Sequence, residues 1–270
     1  MTVQTNYIME HADEALRLDM KTGHDAVERQ SRWAGLMPGM RVADIGCGSG
    51  KTTAMLNELC QPFGQAVGVD GSLERITHAQ NKYKASGLSY CCRNFYEPLD
   101  DLGLFDFIWV RFVLEYHREK AFEIVQNLSR ILKPGGILCL IDLDYNCLTH
   151  AGIPVRLEKA IVNITKKLEL EADFDPYMGR KLYSFLYDLD FQDIGVDLSA
   201  HHLISGQLNE VDSYNWNQKV QVAAKNSNYS FSEYAGGFDE FVDEFEKFFA
   251  DPRRFTYTPL LCVRGIKPII

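Results

Sequence analysis

Chemistry is most legible at Val42-Ala43-Asp44-Ile45-Gly46-Cys47-Gly48-Ser49-Gly50, where three glycines alternate behind a run that reads as a buried strand. Glycines at 46, 48 and 50 permit a tight strand-to-helix turn and let a ligand approach the backbone closely. Three ligand chemistries compete for such a turn. A phosphate-cradling loop of the form G-x-x-x-x-G-K-S/T is matched at its end by Gly50-Lys51-Thr52. Its first glycine, however, must stand at position 45, which is Ile. A dinucleotide turn, G-x-G-x-x-G, needs glycine at position 51, which is Lys. A pyrophosphate also gains nothing from Asp44, an acid two residues before the first glycine. The third ligand carries positive charge and no phosphate, and for it the acid is favourable. Asp70 then ends the next apolar run, where a carboxylate can accept two hydrogen bonds from a ribose diol.

The stretch VADIGCGSG resembles the first motif of class I S-adenosylmethionine-dependent methyltransferases of the small-molecule type. Gly68-Val69-Asp70-Gly71-Ser72 is similar to the family's second-strand motif, Phe105 to His117 to its fourth-strand motif, and Leu132-Lys133-Pro134-Gly135-Gly136 to the turn before its fifth strand. The resemblance implies S-adenosylmethionine as cofactor. Asp44 would order the methionine moiety, directly or through water, beside Gly46 and Gly48. Asp70 and Gly71 would hold the ribose. Asn94 stands where the family often has an Asp touching the adenine amine, and Phe95 would pack on the adenine. Glu14-Ala15-Leu16-Arg17-Leu18 resembles an N-terminal segment that closes over the cofactor, with Arg17 pairing the methionine carboxylate. The implied fold is a Rossmann-like, seven-stranded, mostly parallel sheet with a reversed last hairpin, for which residues 194–199 and 257–264 are the candidates.

Other reactive types cluster at the same edge. Arg111 ends a central strand and is expected to face the site. His117 has the intrinsic pKa of a general base, against the plainer reading of a capping or solvent-facing histidine. Tyr116 could meet the sulfonium through its ring. Asp142, Asp144 and Asn146 alternate after the fifth strand, but one short acidic loop makes a poor hard-cation site, so no metal is expected. The adjacent His201 and His202 cannot share one face of a regular strand and are read as strand-end residues.

The elements positioning these residues alternate. Periodicity predicts helices over 7–36, 51–60, 73–86 and 118–132, and strands over 41–45, 65–69, 88–93, 107–110 and 137–141. That alternation calls for a parallel sheet with helices on both faces, and ligands bind such sheets at the carboxyl edge of the strands. Helices over 155–170 and 179–189 and strands over 195–198 and 257–263 follow. Between the last two strands, residues 205–255 are too long for bare loop and are read as a helical lid insertion. Its Phe238, Phe241, Val242, Phe245, Phe248 and Phe249 form a helical stripe, fit for packing on the main domain, for a lid wall or for a homodimer face. The division is thus an N-terminal helical cap (1–36), a cofactor-binding core (37–204), the lid (205–255) and a last strand completing the core (256–270).

Bulk properties narrow the class. The chain has 270 residues, 46% of them hydrophobic, and a formal net charge of -9. Such an acidic chain repels phosphate backbones and anionic headgroups, so neither nucleic acid nor membrane is an expected partner. Seven scattered cysteines without a C-x-x-C pair suit a reducing, cytoplasmic setting, and the N-terminus lacks the apolar run of a signal peptide. The expectation is a methyltransferase acting on a small, aromatic or apolar metabolite. Its rival is a catalytically silent sensor or partner subunit that binds the same cofactor.

Overall fold

The computed structural model describes residues 23–269, so Arg17 and most of the expected cap lie outside the described residues. The chain runs α1 (His24–Ala34), β1 (Arg41–Ile45), α2 (Lys51–Leu59), β2 (Gln65–Asp70), α3 (Leu73–Lys82), β3 (Leu88–Cys92), β4 (Phe105–Arg111), α4 (Ala121–Arg130), β5 (Leu132–Leu143), β6 (His150–Ala151), α5 (Val155–Glu171), α6 (Leu182–Asp188), β7 (Gln192–Ser205), α7 (Glu210–Asn226), α8 (Gly237–Ala250) and β8 (Phe255–Ile266).

The sheet order is β3-β2-β1-β4-β5-β8, with β7 and the two-residue β6 both paired to β8. β3, β2, β1, β4 and β5 are mutually parallel, and β8 runs antiparallel to β5. This is the expected Rossmann-like sheet with its reversed hairpin, brought to eight strands by the short β6. Alternation of side chains explains the layering. Ile108, Val110, Leu138 and Leu140 enter one core beneath α4 and α6, while their neighbours Phe107, Trp109, Cys139 and Ile141 enter the opposite core beneath α1 and α2. The chain order reverses between β1 and β4, and the loops after β1, β2, β4 and β5 meet at the carboxyl edge there.

Two expectations are corrected. The late strands are longer than predicted: β7 spans 14 residues and β8 spans 12, paired along almost their whole length. His201 and His202 therefore sit within β7, not at its end. A register shift between Ala200 and His202 breaks the alternation and leaves the two rings 4.3 Å apart. The second correction concerns residues 205–255. Their helices α7 and α8 do not stand alone but build a second core with α5, which the sequence division had placed in the cofactor domain. Trp216, Phe241, Phe245 and Phe249 are each at most 2% exposed in that core. Each buried aromatic of this kind contributes roughly 1.5–3 kcal/mol, so the three helices form a packed unit. The phenylalanine stripe is spent inside it rather than offered to a second copy.

Candidate active site

The glycine turn is built by backbone geometry first. Gly46, Gly48 and Gly50 all have positive φ (72°, 54° and 86°), which costs other residues strain. A Cβ on Gly46 would come within 2.3 Å of Val113 Cγ2, so the loop after β4 packs directly on the turn. The Gly46 and Cys47 amides donate to Val69 O at 2.7 and 3.0 Å.

Asp70 braces this turn. Its Oδ2 accepts from the Gly48 amide at 2.9 Å, and its Oδ1 accepts from the Ser72 amide at 2.9 Å and from Arg75 Nε at 3.2 Å. A carboxylate offers about four acceptor sites, so capacity remains for a ribose hydroxyl. Gly71 lies between Asp70 and Ser72, the N-cap of α3. The sequence reading missed Arg75 and also Tyr90. The Tyr90 hydroxyl donates to Gly50 O at 2.9 Å, and its ring fills the space left open at Gly68. Glycine at 68, inside a strand, was the signal that a large neighbour approaches.

Asp44 is buried on β1, and its Oδ2 accepts from Thr53 Oγ1 at 2.7 Å. Burial pushes its pKa up to about 7, opposed by the Thr53 bond and by the Arg111 charge. Arg111 as a residue is only partly exposed, and its Nε is enclosed without a hydrogen-bond partner among the described residues. Burial pulls its pKa down to about 10, with Asp44 and Asp142 acting in the opposite sense. An enclosed, unpartnered guanidinium donor beside a glycine turn suits a ligand carboxylate. Together with the acids at 44 and 70, it fits a zwitterionic amino-acid moiety joined to a nucleoside.

The adenine-side candidates are placed differently. Asn94 Oδ1 accepts from the Tyr96 amide at 3.1 Å and its Nδ2 donates to Glu97 Oε1 at 3.2 Å, so part of its capacity is spent locally. Phe95 belongs to the main core and meets the His117 ring edge-on at 5.3 Å.

Tyr116 and His117 part company. Tyr116 faces the second core, 5.8 Å from Phe174, and lines a cavity there. His117 Nδ1 is bonded to the Tyr96 hydroxyl. Burial holds Tyr96 protonated, with a pKa near 12, and lowers His117 to about 4. Both groups are therefore neutral, and either the Tyr96 hydroxyl or Nδ1–H can donate across this bond. The lowered pKa and the bond to Tyr96 both weigh against the expected role of His117 as a general base.

The cavity that Tyr116 lines encloses about 560 Å³, its open mouth included, among Ile161, Ile164, Leu168, Phe174 and Phe241. Asn146 and Lys219 also line it, but the surface the cavity presents is almost wholly apolar. The acids at the end of β5 are committed elsewhere. Asp144 takes a two-bond ion pair from Arg180, at 2.8 and 3.0 Å. Asp142 is buried, its pKa raised by desolvation, and its Oδ2 accepts from the Glu115 amide at 3.2 Å. No group of three potential metal ligands converges among the described residues.

Comparison with known proteins agrees with this geometry. Residues 43–140 match a family model described as a methyltransferase domain. A ubiquinone biosynthesis O-methyltransferase from Bradyrhizobium sp. (strain ORS 278) is 31% identical over 125 residues, 44% of this chain and 46% of that protein. The match thus spans about half the length of the curated relative. A Haemonchus contortus phosphoethanolamine N-methyltransferase 2, solved with phosphomonomethylethanolamine and S-adenosylhomocysteine, superposes with a TM-score of 0.59 at 15% identity, covering 98% of this chain and 60% of that one. The cyclase SpnF superposes with a TM-score of 0.55 at 17% identity over 92% and 82% of the two chains, so the fold also carries other chemistry. Motif order, sheet order and the family match agree on a methyltransferase domain of Rossmann-like fold over residues 43–140.

Proposed function

We propose that the protein transfers the methyl group of S-adenosylmethionine to a small aromatic or apolar molecule seated in the Tyr116 cavity. One observation carries the reading: the glycine turn and the apolar cavity are joined by the single loop after β4, with Val113 packed on the turn and Tyr116 on the cavity wall. When bound, the cofactor supplies an electrophilic methyl on a sulfonium. The chain's own work is then to bind, align and exclude water.

In this reading Arg111 pairs the methionine carboxylate, and Asp44 offers its charge to the ammonium. The turn at Gly46 and Gly48 accepts the close-lying ligand. Asp70 and Gly71 hold the ribose, and Asn94 and Phe95 border the adenine. Arg17 would complete the carboxylate site, and it lies outside the described residues. Tyr116 presents its ring to the acceptor side. His117 steadies Phe95 and Tyr96 rather than moving a proton.

Calorimetry with S-adenosylhomocysteine, followed by transfer of a labelled methyl to an extract of small molecules, tests the proposal. Binding without transfer to any acceptor would favour the second reading, a silent cofactor-binding subunit. The observation on its side is the lowered pKa of His117, about 4, beside its bond to Tyr96. Neither ligand binding nor transfer would remove both. Seven free cysteines fit the reducing, cytoplasmic setting this function implies. No described helix is long and apolar enough to cross a membrane.

A further inference from the structure

The cavity and the strand ends beside it divide apolar from polar surface. Ile161, Ile164 and Leu168 recur at helical spacing on α5 and present hydrocarbon to the cavity, with Val220 from α7 and Phe241 from α8. The amide and the ammonium among the lining residues are engaged with each other. Lys219 Nζ donates to Asn146 Oδ1 at 2.6 Å and stands 5.3 Å from the centre of the Trp216 ring. Asn146 Nδ2 donates to Glu115 Oε2 at 2.7 Å, so both ends of the amide are taken. Among the described lining residues, no enclosed side-chain nitrogen or oxygen lacks a hydrogen-bond partner. Such atoms stand instead at the strand ends, where Arg111 Nε closes β4 and Asp142 Oδ1 lies one residue from the end of β5. Tyr116 and Asn146 follow those strand ends within one loop each and bring the cavity wall up to them. Phe241, 0% exposed, carries the wall into the core of the three helices.

We infer that the cavity takes the uncharged hydrocarbon tail of an amphiphilic acceptor, while the polar head that receives the methyl group stays outside it, at the ends of β4 and β5. The inference rests on the methyltransferase reading proposed above and narrows its acceptor to a molecule with two unlike ends. The reacting heteroatom must reach the cofactor methyl over the glycine turn, on the Val113 side of the β4 loop. A polar group carried deeper would lose its water and find no partner on these walls. A methylene loses nothing there and leaves water for apolar contact. Selection is therefore by exclusion: the walls reject a charge or a hydroxyl on the tail without any residue that reads it. Enclosure by hydrocarbon, with polar groups confined to one end, is the usual division of labour in a small-molecule site.

The test titrates 4-alkylphenols, from methyl to heptyl, calorimetrically into the full chain with S-adenosylhomocysteine present. Affinity should rise about fourfold for each added CH2 until the cavity is filled, and then level off. Two probes of similar length carry a polar tail end, 4-(4-hydroxybutyl)phenol and 4-(4-hydroxyphenyl)butanoate. Each should bind roughly tenfold or more weakly than 4-pentylphenol. Ala223→Leu adds three carbons to the α7 wall of the cavity. It should move the levelling-off to a tail about two to three carbons shorter, with 4-methylphenol affinity changed less than about twofold. The wild-type series decides the question by itself if that variant does not fold. Affinity independent of tail length, or a rise that never levels off, overturns the inference. So does the butanoate binding as tightly as 4-pentylphenol, or a levelling-off that stays in place in folded Ala223→Leu. S-adenosylhomocysteine binding is read first, in the same cell. Its absence beside a tail-selective cavity would sink the methyltransferase reading and leave the hydrocarbon site standing. Its presence beside a cavity blind to tail length would do the reverse.

Discussion

Asp44→Asn should make this protein more stable and a poorer binder of its cofactor. Burial raises the Asp44 pKa from 3.8 to about 7, so the folded state holds the proton that the unfolded chain has already released. The folded pKa is raised, so the stability it confers is complete below about pH 4 and is lost as pH rises through about 7. At 1.36 kcal/mol per unit, the charged carboxylate costs the fold about 4 kcal/mol above pH 8 and roughly a third of that near pH 5. Asparagine has the same shape, keeps an oxygen to accept from Thr53, and does not ionise. Urea denaturation of wild type and variant at about pH 5, 7 and 8.5 should therefore show a stability gain that grows with pH toward about 4 kcal/mol. The same variant should bind S-adenosylhomocysteine roughly ten- to a hundredfold more weakly, because the ammonium loses a charge-assisted partner. A gain that does not change with pH, or a variant less stable than wild type at about pH 8.5, would refute the burial argument. Full ligand affinity in the variant would take Asp44 out of the site.

Asp70→Ala removes the acceptor of the Gly48 amide and of Arg75 along with the ribose contact, and should weaken S-adenosylhomocysteine binding by one to two decades, about 1.5–3 kcal/mol; calorimetry showing unchanged affinity in a folded variant would exclude it from the site. Phe241→Ala opens a hole where α5, α7 and α8 meet and should cost about 3–5 kcal/mol in denaturant unfolding, since the side chain is 0% exposed; a loss under about 1 kcal/mol would mean the three helices do not share one core. His117, with its pKa lowered to about 4, should stay neutral from about pH 8 down to about 5.5, as read by nitrogen NMR of the imidazole. The unfolded histidine charges first as pH falls, so this group withdraws stability between about pH 6.5 and 4, and an observed titration near the ordinary histidine value would restore it as a candidate base.

Much of the cofactor side was readable in the chain because it is local chemistry. Asp44, Gly46 and Gly48 lie within one strand and its turn, where residue type alone limits the backbone and the ligand charge. Asp70 follows from the same logic one strand on, because parallel strands with right-handed crossovers bring their carboxyl ends to one edge whatever the loops contain. The parallel sheet and the two-faced core were legible for a similar reason: the continuous apolar runs Phe107 to Val110 and Ile137 to Ile141 put apolar side chains on both faces, and both must be covered.

Tertiary structure decided what depends on contact between distant segments. Nothing in the order of residues said that the Tyr96 hydroxyl would bond His117 Nδ1 in a buried setting. Nor did it say that Arg75 would share Asp70, or that α5 would leave the cofactor domain to pack with α7 and α8. The aromatic stripe from Phe238 to Phe249 suited packing on the main domain first, with a lid wall or a dimer face as alternatives, because a helix reports which of its faces is apolar and not what covers that face. The chain from Glu115 through Asn146 to Lys219 spans three segments far apart in sequence. It exists only because the loops after β4 and β5 are carried to one edge by the sheet while a different core carries α7 to meet them.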